Sequence, residues 1–343
     1  MKTLSHYIVI TTLFIGLFLG GCDSEPNGRD AGEWPGRKTI NVAVFASPGG
    51  STDLANRTMA NVMERELGAT ISVLNIPGAQ GGSAANHVWN ARRDGHTWFG
   101  MSEGALAMPV FGAHSTTSRD WHYFLICGTP GILSVPADSP YHTLEELIAA
   151  IRDRPNQIRM ASAFPGTVWH EQYLVMSKAA GLQVRWISYP GSHPSQVAAL
   201  SGEVDVVLTG LGEQVELLRS GHLRPLAVME TEPRRYEGIG ELPPISGPLP
   251  ELKDHFPLRQ YIGFALPADT PAEILETIEG AFKRAMDSDE IRQFGEASHS
   301  ELFGYSGEEA SALFAERESR LTWLLYDEQL ARHSPERYGI ARP

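Results

Sequence analysis

The stretch from Thr39 to Leu67 contains the residues best suited to holding a small ligand. A short apolar run over 39–46 predicts a buried strand, and Ser47-Pro-Gly-Gly-Ser-Thr-Asp53 follows it at the start of a helical pattern. Gly49 and Gly50 let the backbone turn sharply and approach a ligand closely, because they carry no Cβ. The spacing matches neither the dinucleotide fingerprint nor the P-loop. The alternative, a tight strand-to-helix turn without a ligand, explains these residues equally well.

The helix that follows this turn is expected to present free N–H groups to a ligand. Ser51 or Thr52 is predicted to cap it, and the first turn, which includes Asp53, then forms a site for a carboxylate or phosphate. Gly68 is predicted to end the helix. The apolar stripe is predicted to consist of Leu54, Met59, Val62, Met63 and Leu67.

An enzymatic alternative rests on Gly100-Met-Ser-Glu-Gly104, which matches G-x-S-x-G after a predicted strand. In an α/β-hydrolase this motif would make Ser102 the nucleophile, with an acid and then a histidine later in the chain, and Asp205 and His222 occur in that order. Pro109 allows only a very short helix after the motif, and no HGGG-type stretch precedes it. A serine hydrolase is therefore the less favoured hypothesis, and the protein is predicted not to be an enzyme.

The twelve histidines show no metal-ligand spacing such as H-E-x-x-H, and Cys127 stands alone in an apolar run. We therefore predict no metal and no cofactor. His170 lies in the first turn of a predicted helix. The sequence supports two positions for it equally well, one facing the cleft and one on a partly exposed surface.

The chain begins with features of a secretory signal. Lys2 precedes an apolar core over 7–19, and Leu19-Gly-Gly-Cys22 resembles a bacterial lipobox. Residues 1–21 are therefore predicted to be a lipoprotein signal peptide and Cys22 the lipidated residue, followed by a flexible tether over 22–38. Asp23 favours retention at the inner membrane, so the expected location is the periplasm, with a lipid anchor.

The charge of the chain excludes broad attraction to anions. The formal net charge is −13, and it is −14 without the signal and its Lys2. This argues against nucleic acid as a partner. An anionic ligand must then be held by local helix starts and backbone N–H groups.

The order of predicted elements is that of an α/β protein with two lobes. Strands and helices alternate, which is typical of parallel or mixed sheets. Capping boxes at Thr143, Thr270 and Ser306 are predicted to open three helices. A chain that leaves the first lobe once and returns once gives a discontinuous lobe 1, over 39–136 and 258–343, and a lobe 2 over 137–257. Two crossovers join the lobes, and a ligand is expected in the cleft between them.

The motifs together resemble the solute receptors of tripartite tricarboxylate transporters (the TctC/Bug type). The resemblance covers residues 39–325, and no single motif decides it. The motifs, in chain order, are 47–53 with Arg57, Asn75-Ile-Pro-Gly-Ala-Gln-Gly-Gly82, Arg93-Asp-Gly-His-Thr97, Tyr189-Pro-Gly-Ser192, Gly202-Glu-Val-Asp-Val206, Arg219-Ser-Gly221 with Leu223-Arg224, Leu226-Ala-Val228 and Pro267-Ala-Asp-Thr-Pro271.

The resemblance implies a monomeric periplasmic receptor with the two-lobed type II binding-protein fold. Such receptors capture small organic anions, usually carboxylates, and deliver them to a membrane permease. Two facing helix starts, here 49–53 and 162–167, would hold the carboxylate. The residues it assigns to the ligand site are Gly49, Gly50, Ser51, Thr52, Asp53, Ser102, Ser162, Phe164, Gly166, Thr167, His170, Tyr189 and Thr209. A sensory or scaffold lipoprotein that binds a ligand without transport remains an alternative.

Two departures from the family pattern bear on the ligand. The usual Ser-Ser-Gly-Asn-Gly-Ser loop is Ser162-Ala-Phe-Pro-Gly-Thr167 here, which makes the pocket stiffer and more apolar at that edge. The family's Asp-Asn is replaced by Thr209-Gly210, which removes a carboxylate from the cleft. A ligand with an apolar or aromatic body and one or two carboxylates fits these changes better than citrate.

Overall fold

The computed structural model describes residues 34–343, which form two α/β lobes with a separate sheet in each. The predicted two-lobed α/β fold is confirmed. The proposed signal peptide and Cys22 lie outside the described residues. The strands are β1 (Ile40–Val44), β2 (Ile71–Asn75), β3 (Thr97–Ser102), β4 (Trp121–Gly128), β5 (Gly131–Pro136), β6 (Arg159–Ser162), β7 (Arg185–Ser188), β8 (Val206–Gly210), β9 (Leu223–Val228), β10 (Arg234–Tyr236), β11 (Gly240–Leu242), β12 (Ile262–Pro267) and β13 (Glu301–Ser306).

The α-helices cover the faces of the two sheets. They are α1 (Ser51–Leu67), α2 (Gly82–Trp89), α3 (Met108–Phe111), α4 (Leu144–Asp153), α5 (Val168–Ala179), α6 (Ser192–Leu200), α7 (Leu211–Arg219), α8 (Ala272–Met286), α9 (Asp289–Ala297) and α10 (Gly307–Asp327).

The sheet of lobe 1 combines strands from both ends of the described chain, in the order β13-β4-β12-β3-β1-β2. β1 runs parallel to β2 and β3, whereas β12 runs antiparallel to both β3 and β4. The carboxyl ends of β1 and β3 therefore lie at one edge of the sheet, where ligands of α/β folds usually bind.

The sheet of lobe 2 has the order β7-β6-β8-β5-β9, with β6 parallel to β7 and β8. β5 pairs antiparallel with β8 and β9, so it belongs to this sheet. The first crossover therefore lies at 129–130, and assigning residues up to 136 to lobe 1 places β5 in the wrong sheet. The sequence does not mark this boundary within the apolar run from Tyr123 to Pro136, because β4 and β5 are both buried and similarly hydrophobic.

The two crossovers between the lobes lie side by side. The Gln260 N–H group donates to the Thr129 carbonyl at 3.3 Å, which joins the outgoing segment to the returning one. A Cβ added at Gly128 would lie only 1.7 Å from the Gln260 carbonyl oxygen. The close approach of the two backbones thus depends on a residue without a side chain.

The centre of lobe 1 is a stack of aromatic rings beneath α1 and α8. Phe264 lies between Trp98 and Phe124, with ring centroids 4.6 and 4.7 Å away and nearly parallel planes. Phe282 of α8 meets both phenylalanines edge-on. All four rings are fully buried, so the two outer segments of the chain share one core.

The residues just before β1 are packed rather than free. The Trp34 indole N–H donates to the Asp94 carbonyl at 2.8 Å, and the ring contacts His96. Pro35 is buried. The expectation of a flexible tether up to Lys38 is therefore wrong for this part, because Trp34 has an apolar site against lobe 1.

Two of the three predicted capping boxes do not form as expected. Thr143 does cap α4, since its hydroxyl accepts the Glu146 N–H group. The Thr270 hydroxyl instead donates to the Pro267 carbonyl, and the Ser306 hydroxyl donates to Glu279. Both hydroxyls donate to acceptors outside the helix that they were predicted to cap, and the local sequence pattern does not indicate these acceptors.

Helix α9 and strand β13 are not among the predicted elements, and Leu54, predicted to lie in the apolar stripe of α1, is exposed. β13 is partly exposed and contains Gly304 at φ +68°, so it lacks the regular alternation of a strand. Leu54 is 47% exposed, whereas Met59, Val62, Met63 and Leu67 are buried as predicted. Gly68 ends α1 in the left-handed conformation, as predicted.

We expect Phe264→Ala to lower the free energy of unfolding by about 3–5 kcal/mol, because it opens a cavity between two stacked rings. Denaturant unfolding of the purified protein measures this change. Leu330→Ala is the matched control at an exposed site and should change stability by about 0.5 kcal/mol or less. A loss below about 1 kcal/mol for Phe264→Ala would contradict the assignment of this ring to the core.

Candidate functional site

A cavity of about 450 Å³ lies between the two lobes. Lobe 1 contributes the carboxyl ends of β1 and β3, and lobe 2 contributes the loop before α5 and the start of α6. The lining consists of residues from 45–52, 77–81, 102–103, 163–169 and 190–194, together with Glu213 and Gln260. The volume suits a small organic molecule.

The start of α1 faces this cavity. Gly50, rather than Ser51 or Thr52, is the N-cap residue, and no side chain caps the helix. The first-turn N–H groups therefore lack a capping side chain. The predicted capping role of Ser51 is wrong, because its hydroxyl donates to Glu213 Oε1 of the other lobe at 2.7 Å. The same hydroxyl approaches Oε1 of Gln260, in the returning crossover, at 3.3 Å.

Two hydroxyls that line the cavity are unused. They belong to Thr52, which is 5% exposed, and Ser102, which is 3% exposed. Within residues 34–343 the structure shows no hydrogen-bond partner for either hydroxyl. Neither oxygen is among the fully buried polar atoms that lack a partner in this range, so both hydroxyls open into the cavity and can donate to a ligand.

Asp53 shapes the loop instead of facing the ligand. Its carboxylate accepts hydrogen bonds from the Gly49 N–H group, Arg57 and Asn75 at 2.8–3.0 Å. Burial alone would raise its pKa, but the hydrogen bonds from Arg57, Gly49 and Asn75 outweigh burial and lower the pKa below the usual value. The charged side chain thereby fixes the turn at Gly49, whose φ is +82°.

Glu103 was not predicted and is the most unusual lining residue. It extends from lobe 1 and accepts the Val168 N–H group at the start of α5 in lobe 2, at 3.2 Å. It also accepts the Tyr261 N–H group at 2.8 Å. Burial raises its pKa to about 7, although these hydrogen bonds and the charge of Arg317 act in the opposite direction.

Each lobe thus sends a glutamate to the helix start of the other lobe. Glu213, in the first turn of α7, reaches the Ser51 hydroxyl at the start of α1, and Glu103 reaches the start of α5. These are the two helix starts to which the resemblance assigns the ligand carboxylate. The protein's own carboxylates therefore occupy part of the donor capacity there.

Phe164 and Thr167 lie in the cavity wall, as the resemblance implies. Phe164 meets Phe45 of lobe 1 edge-on, with centroids 6.1 Å apart. The Thr167 hydroxyl donates to the Phe164 carbonyl at 3.0 Å. Together with Trp169, the two phenylalanines make one side of the cavity aromatic.

Besides Gly49 and Asp53, five residues assigned to the ligand site by resemblance lie outside the lining of this cavity. Gly166 packs against lobe 1, since a Cβ there would lie 2.8 Å from Phe111. The Ser162 hydroxyl accepts the Trp186 indole N–H group at 2.7 Å. The full set is Ser162, Gly166, His170, Tyr189 and Thr209.

His170 and Thr209 are held inside lobe 2. The His170 ring packs at a tilt against Trp186, with ring centroids 4.4 Å apart, and burial lowers its pKa to about 4, so the ring is neutral. The Thr209 hydroxyl accepts hydrogen bonds from Gln196 and Gln214 at 3.1 and 3.0 Å. His170 also accepts the Gly166 N–H group just before α5, at 3.3 Å.

A second cavity of about 200 Å³ adjoins the main one on the other side of the contact between Ser51 and Glu213. Its lining includes Gly49, Gly50, Ser51, His193 and Glu213. Of these five residues, Gly49 lines only this second cavity. The exposed side of α1 at Leu54 and the thiol of Cys127 also border it.

The lining residues that the sequence analysis missed fall into two groups. The loop over 77–81 belongs to a quoted family motif, so its glycines were a usable signal. Glu103, Glu213 and Gln260 carried no such signal, because their positions depend on contacts between distant parts of the chain.

The residues of the hydrolase hypothesis do not assemble with Ser102. Asp205 binds Arg159 at 2.7 Å, and His222 pairs with Ser220 at 2.7 Å. Neither lines the cavity with Ser102. Within residues 34–343 there is also no cluster of three histidine, cysteine or acidic side chains that could hold a metal ion.

The family model described as the tripartite tricarboxylate transporter family receptor matches residues 55–329. The chain belongs to this family of solute-binding receptors. The predicted family resemblance is thereby confirmed. None of the helices described between residues 34 and 343 is long and apolar enough to cross a membrane.

Known proteins similar to this receptor support the same conclusion. A protein of Pseudomonas sp. (strain P51), named UPF0065 protein in tcbD-tcbE intergenic region, is 26% identical over 281 residues, covering 80% of this chain and 82% of the relative. The structure of Rhodopseudomonas palustris MatC (Rpa3494) with bound malate has a TM-score of 0.74 and 22% identity, covering 85% of this chain and 100% of that chain. The structure of R. palustris Rpa4515 with adipate has a TM-score of 0.77 and 22% identity, covering 87% and 99%.

We expect Glu103 to make stability depend on pH. Its pKa is 4.5 as a free side chain and about 7 in the folded protein, so the folded state keeps its proton longer. The stability that this carboxyl group contributes is complete below pH 4.5 and is lost as pH rises through 7. The Tm of Glu103→Gln, relative to that of the wild type, should therefore rise by several degrees between pH 5 and pH 8, measured by calorimetry. Glu216→Gln, at an exposed site, should follow the wild type, and a Glu103→Gln curve parallel to the wild type would contradict the assigned pKa.

Proposed function

We propose that this receptor binds a small organic acid between its lobes outside the cytoplasm and delivers it to the permease of a tripartite tricarboxylate-type transporter. The supporting observation is the 450 Å³ cavity, which combines two unused hydroxyls with an aromatic wall. The hydroxyls of Thr52 and Ser102 and the first turn of α1 offer donors to one carboxylate. The wall of Phe45, Phe164 and Trp169 favours an apolar or aromatic body.

The ligands of related structures are consistent with this proposal. Adipate and malate, bound in the two R. palustris structures, are small carboxylic acids. The lining here contains aromatic rings and no lysine or arginine among the described residues, which favours a mono- or dicarboxylate with an apolar body over citrate.

The anchoring of the receptor is a further part of the proposal. Lipidation of Cys22 and retention at the inner membrane would keep the cleft close to the permease, and we expect the protein to act as a monomer. The alternative is a sensory lipoprotein that passes ligand occupancy to a signalling partner, and the same cavity would serve both roles.

A thermal-shift screen of aliphatic and aromatic mono-, di- and tricarboxylates tests the binding role. A ligand at about 100 times its dissociation constant should stabilise the protein by about 2.7 kcal/mol, which is a shift of several degrees. For the acid that binds, Thr52→Val should weaken affinity by about 10- to 100-fold in calorimetric titrations, because a hydrogen bond to a charged group is worth about 1.5–3 kcal/mol.

Thr58→Val is the matched control for this prediction. It lies on the same helix at a partly exposed position outside the cavity lining, and its hydroxyl donates to the Leu54 carbonyl. Affinity should not change in this variant. Equal effects of the two substitutions would argue against a ligand at the start of α1, and clear preference for citrate would contradict the proposed ligand class.

A further inference from the structure

Glu213 brings an uncompensated negative charge to the cleft. Its Oε1 atom accepts the Ser51 hydroxyl at 2.7 Å, and its Oε2 atom accepts the Gly210 N–H group at 3.0 Å. None of the ion pairs formed between residues 34 and 343 includes this carboxylate. A carboxylate offers about four acceptor positions, so two neutral donors leave capacity for a charged one.

The remaining lining offers no cation to balance this charge. Among the described residues that line the cavity there is no lysine or arginine, and the imidazole of His193 is exposed at the rim. Glu103 adds a second acidic group, and Arg317 is engaged by Glu171 behind it. A ligand that brings only negative charge would therefore meet repulsion at Glu213, because charges interact strongly where water is excluded.

Donors and acceptors for a ligand line the same cavity. Glu213 is held at its wall by Ser51, and Thr52 and Ser102 offer their unused hydroxyls. The Gln260 side-chain oxygen lies beside Glu213 at the Ser51 hydroxyl, which adds a neutral acceptor.

An α-amino carboxylate matches this pattern of groups. Its ammonium group has three N–H donors for the oxygens of Glu213 and Gln260, and its carboxylate is attached to the same carbon. The carboxylate would accept from the hydroxyls of Thr52 and Ser102. The side chain would then lie against the aromatic wall formed by Phe45, Phe164 and Trp169.

We propose that the cleft binds a zwitterionic α-amino carboxylate with an apolar or aromatic side chain, and that Glu213 selects it by pairing with the ammonium group. This inference rests on the proposed function as a receptor for an organic acid. It adds that the ligand carries a positive nitrogen beside its carboxylate, and that Glu213 is the residue that sets this specificity.

Matched pairs of acids test the proposal. Phenylalanine is compared with 3-phenylpropanoate, and leucine with 4-methylpentanoate, in calorimetric titrations of the purified protein at pH 7. We expect the amino acid of at least one pair to bind at least 30-fold more tightly than its partner without the amino group. Equal or tighter binding of the deaminated acids would overturn the selective role of Glu213 while supporting the receptor for an organic acid.

Variants separate the charge of Glu213 from its contact with Ser51. Glu213→Gln keeps hydrogen-bonding groups but removes the charge, so amino acid affinity should fall at least tenfold while affinity for the deaminated acid is unchanged or rises. Ser51→Ala removes the contact but keeps the charge, so the preference for the amino acid should persist. Glu216→Gln, an 81% exposed glutamate on the same helix, should alter neither affinity.

The outcomes also separate the selective role of Glu213 from the binding of organic acids. If Glu213→Gln weakens both members of a pair equally, Glu213 has only a structural role and the further inference fails. If no acid binds the wild type, with or without an amino group, across these pairs and the carboxylate screen, the proposed function fails as well.

Discussion

The arrangement of the two lobes depends on helix starts that face each other across a narrow cleft. The first turn of a helix leaves N–H groups without partners, and such groups cannot be buried at low cost. In this receptor, Glu103 reaches across the boundary to accept the Val168 N–H group at the start of α5. Glu213 reaches in the opposite direction and accepts the Ser51 hydroxyl at the start of α1. Hydrogen bonds between the lobes therefore help to fix their relative position, and the cavity lies beside these bonds.

A buried ion pair behind the cleft adds to the same constraint. Arg317 of α10 in lobe 1 pairs with Glu171 of α5 in lobe 2, and both side chains are almost completely buried. Such a pair contributes little net stability, because both ions lose their hydration, but a structure that separates them leaves a buried charge unpaired. The pair therefore favours one relative orientation of the lobes, while the weaker contacts at the front, such as that of Ser51 with Glu213, remain available for exchange with a ligand.

Local sequence was sufficient where structure depends on neighbouring residues. The turn at Gly49 and Gly50, the end of α1 at Gly68 and the cap at Thr143 were all predicted, since glycine conformation and capping act over a few residues. The family motifs correctly indicated the fold and several lining residues. The glutamates of the cleft were not predictable, because Ser51 and Glu213 are 162 positions apart and Glu103 and Val168 are 65 apart. His170 shows the opposite failure: its place at a helix start is right, but its ring turns into lobe 2 against Trp186.

The antiparallel strand β12 has a consequence for the order in which the lobes can form during synthesis. The strands of the lobe 2 sheet end at residue 228 and its core at residue 258, so this lobe is complete while the chain is still growing. Lobe 1 has a gap between β3 and β4 until β12 arrives, and its core also requires α8 and α10. The early strands of lobe 1 must therefore wait with unpaired edges, which are prone to aggregation. Lobe 1 therefore cannot close until the segment from residue 262 onwards has been synthesised, whereas lobe 2 does not depend on that segment for its sheet.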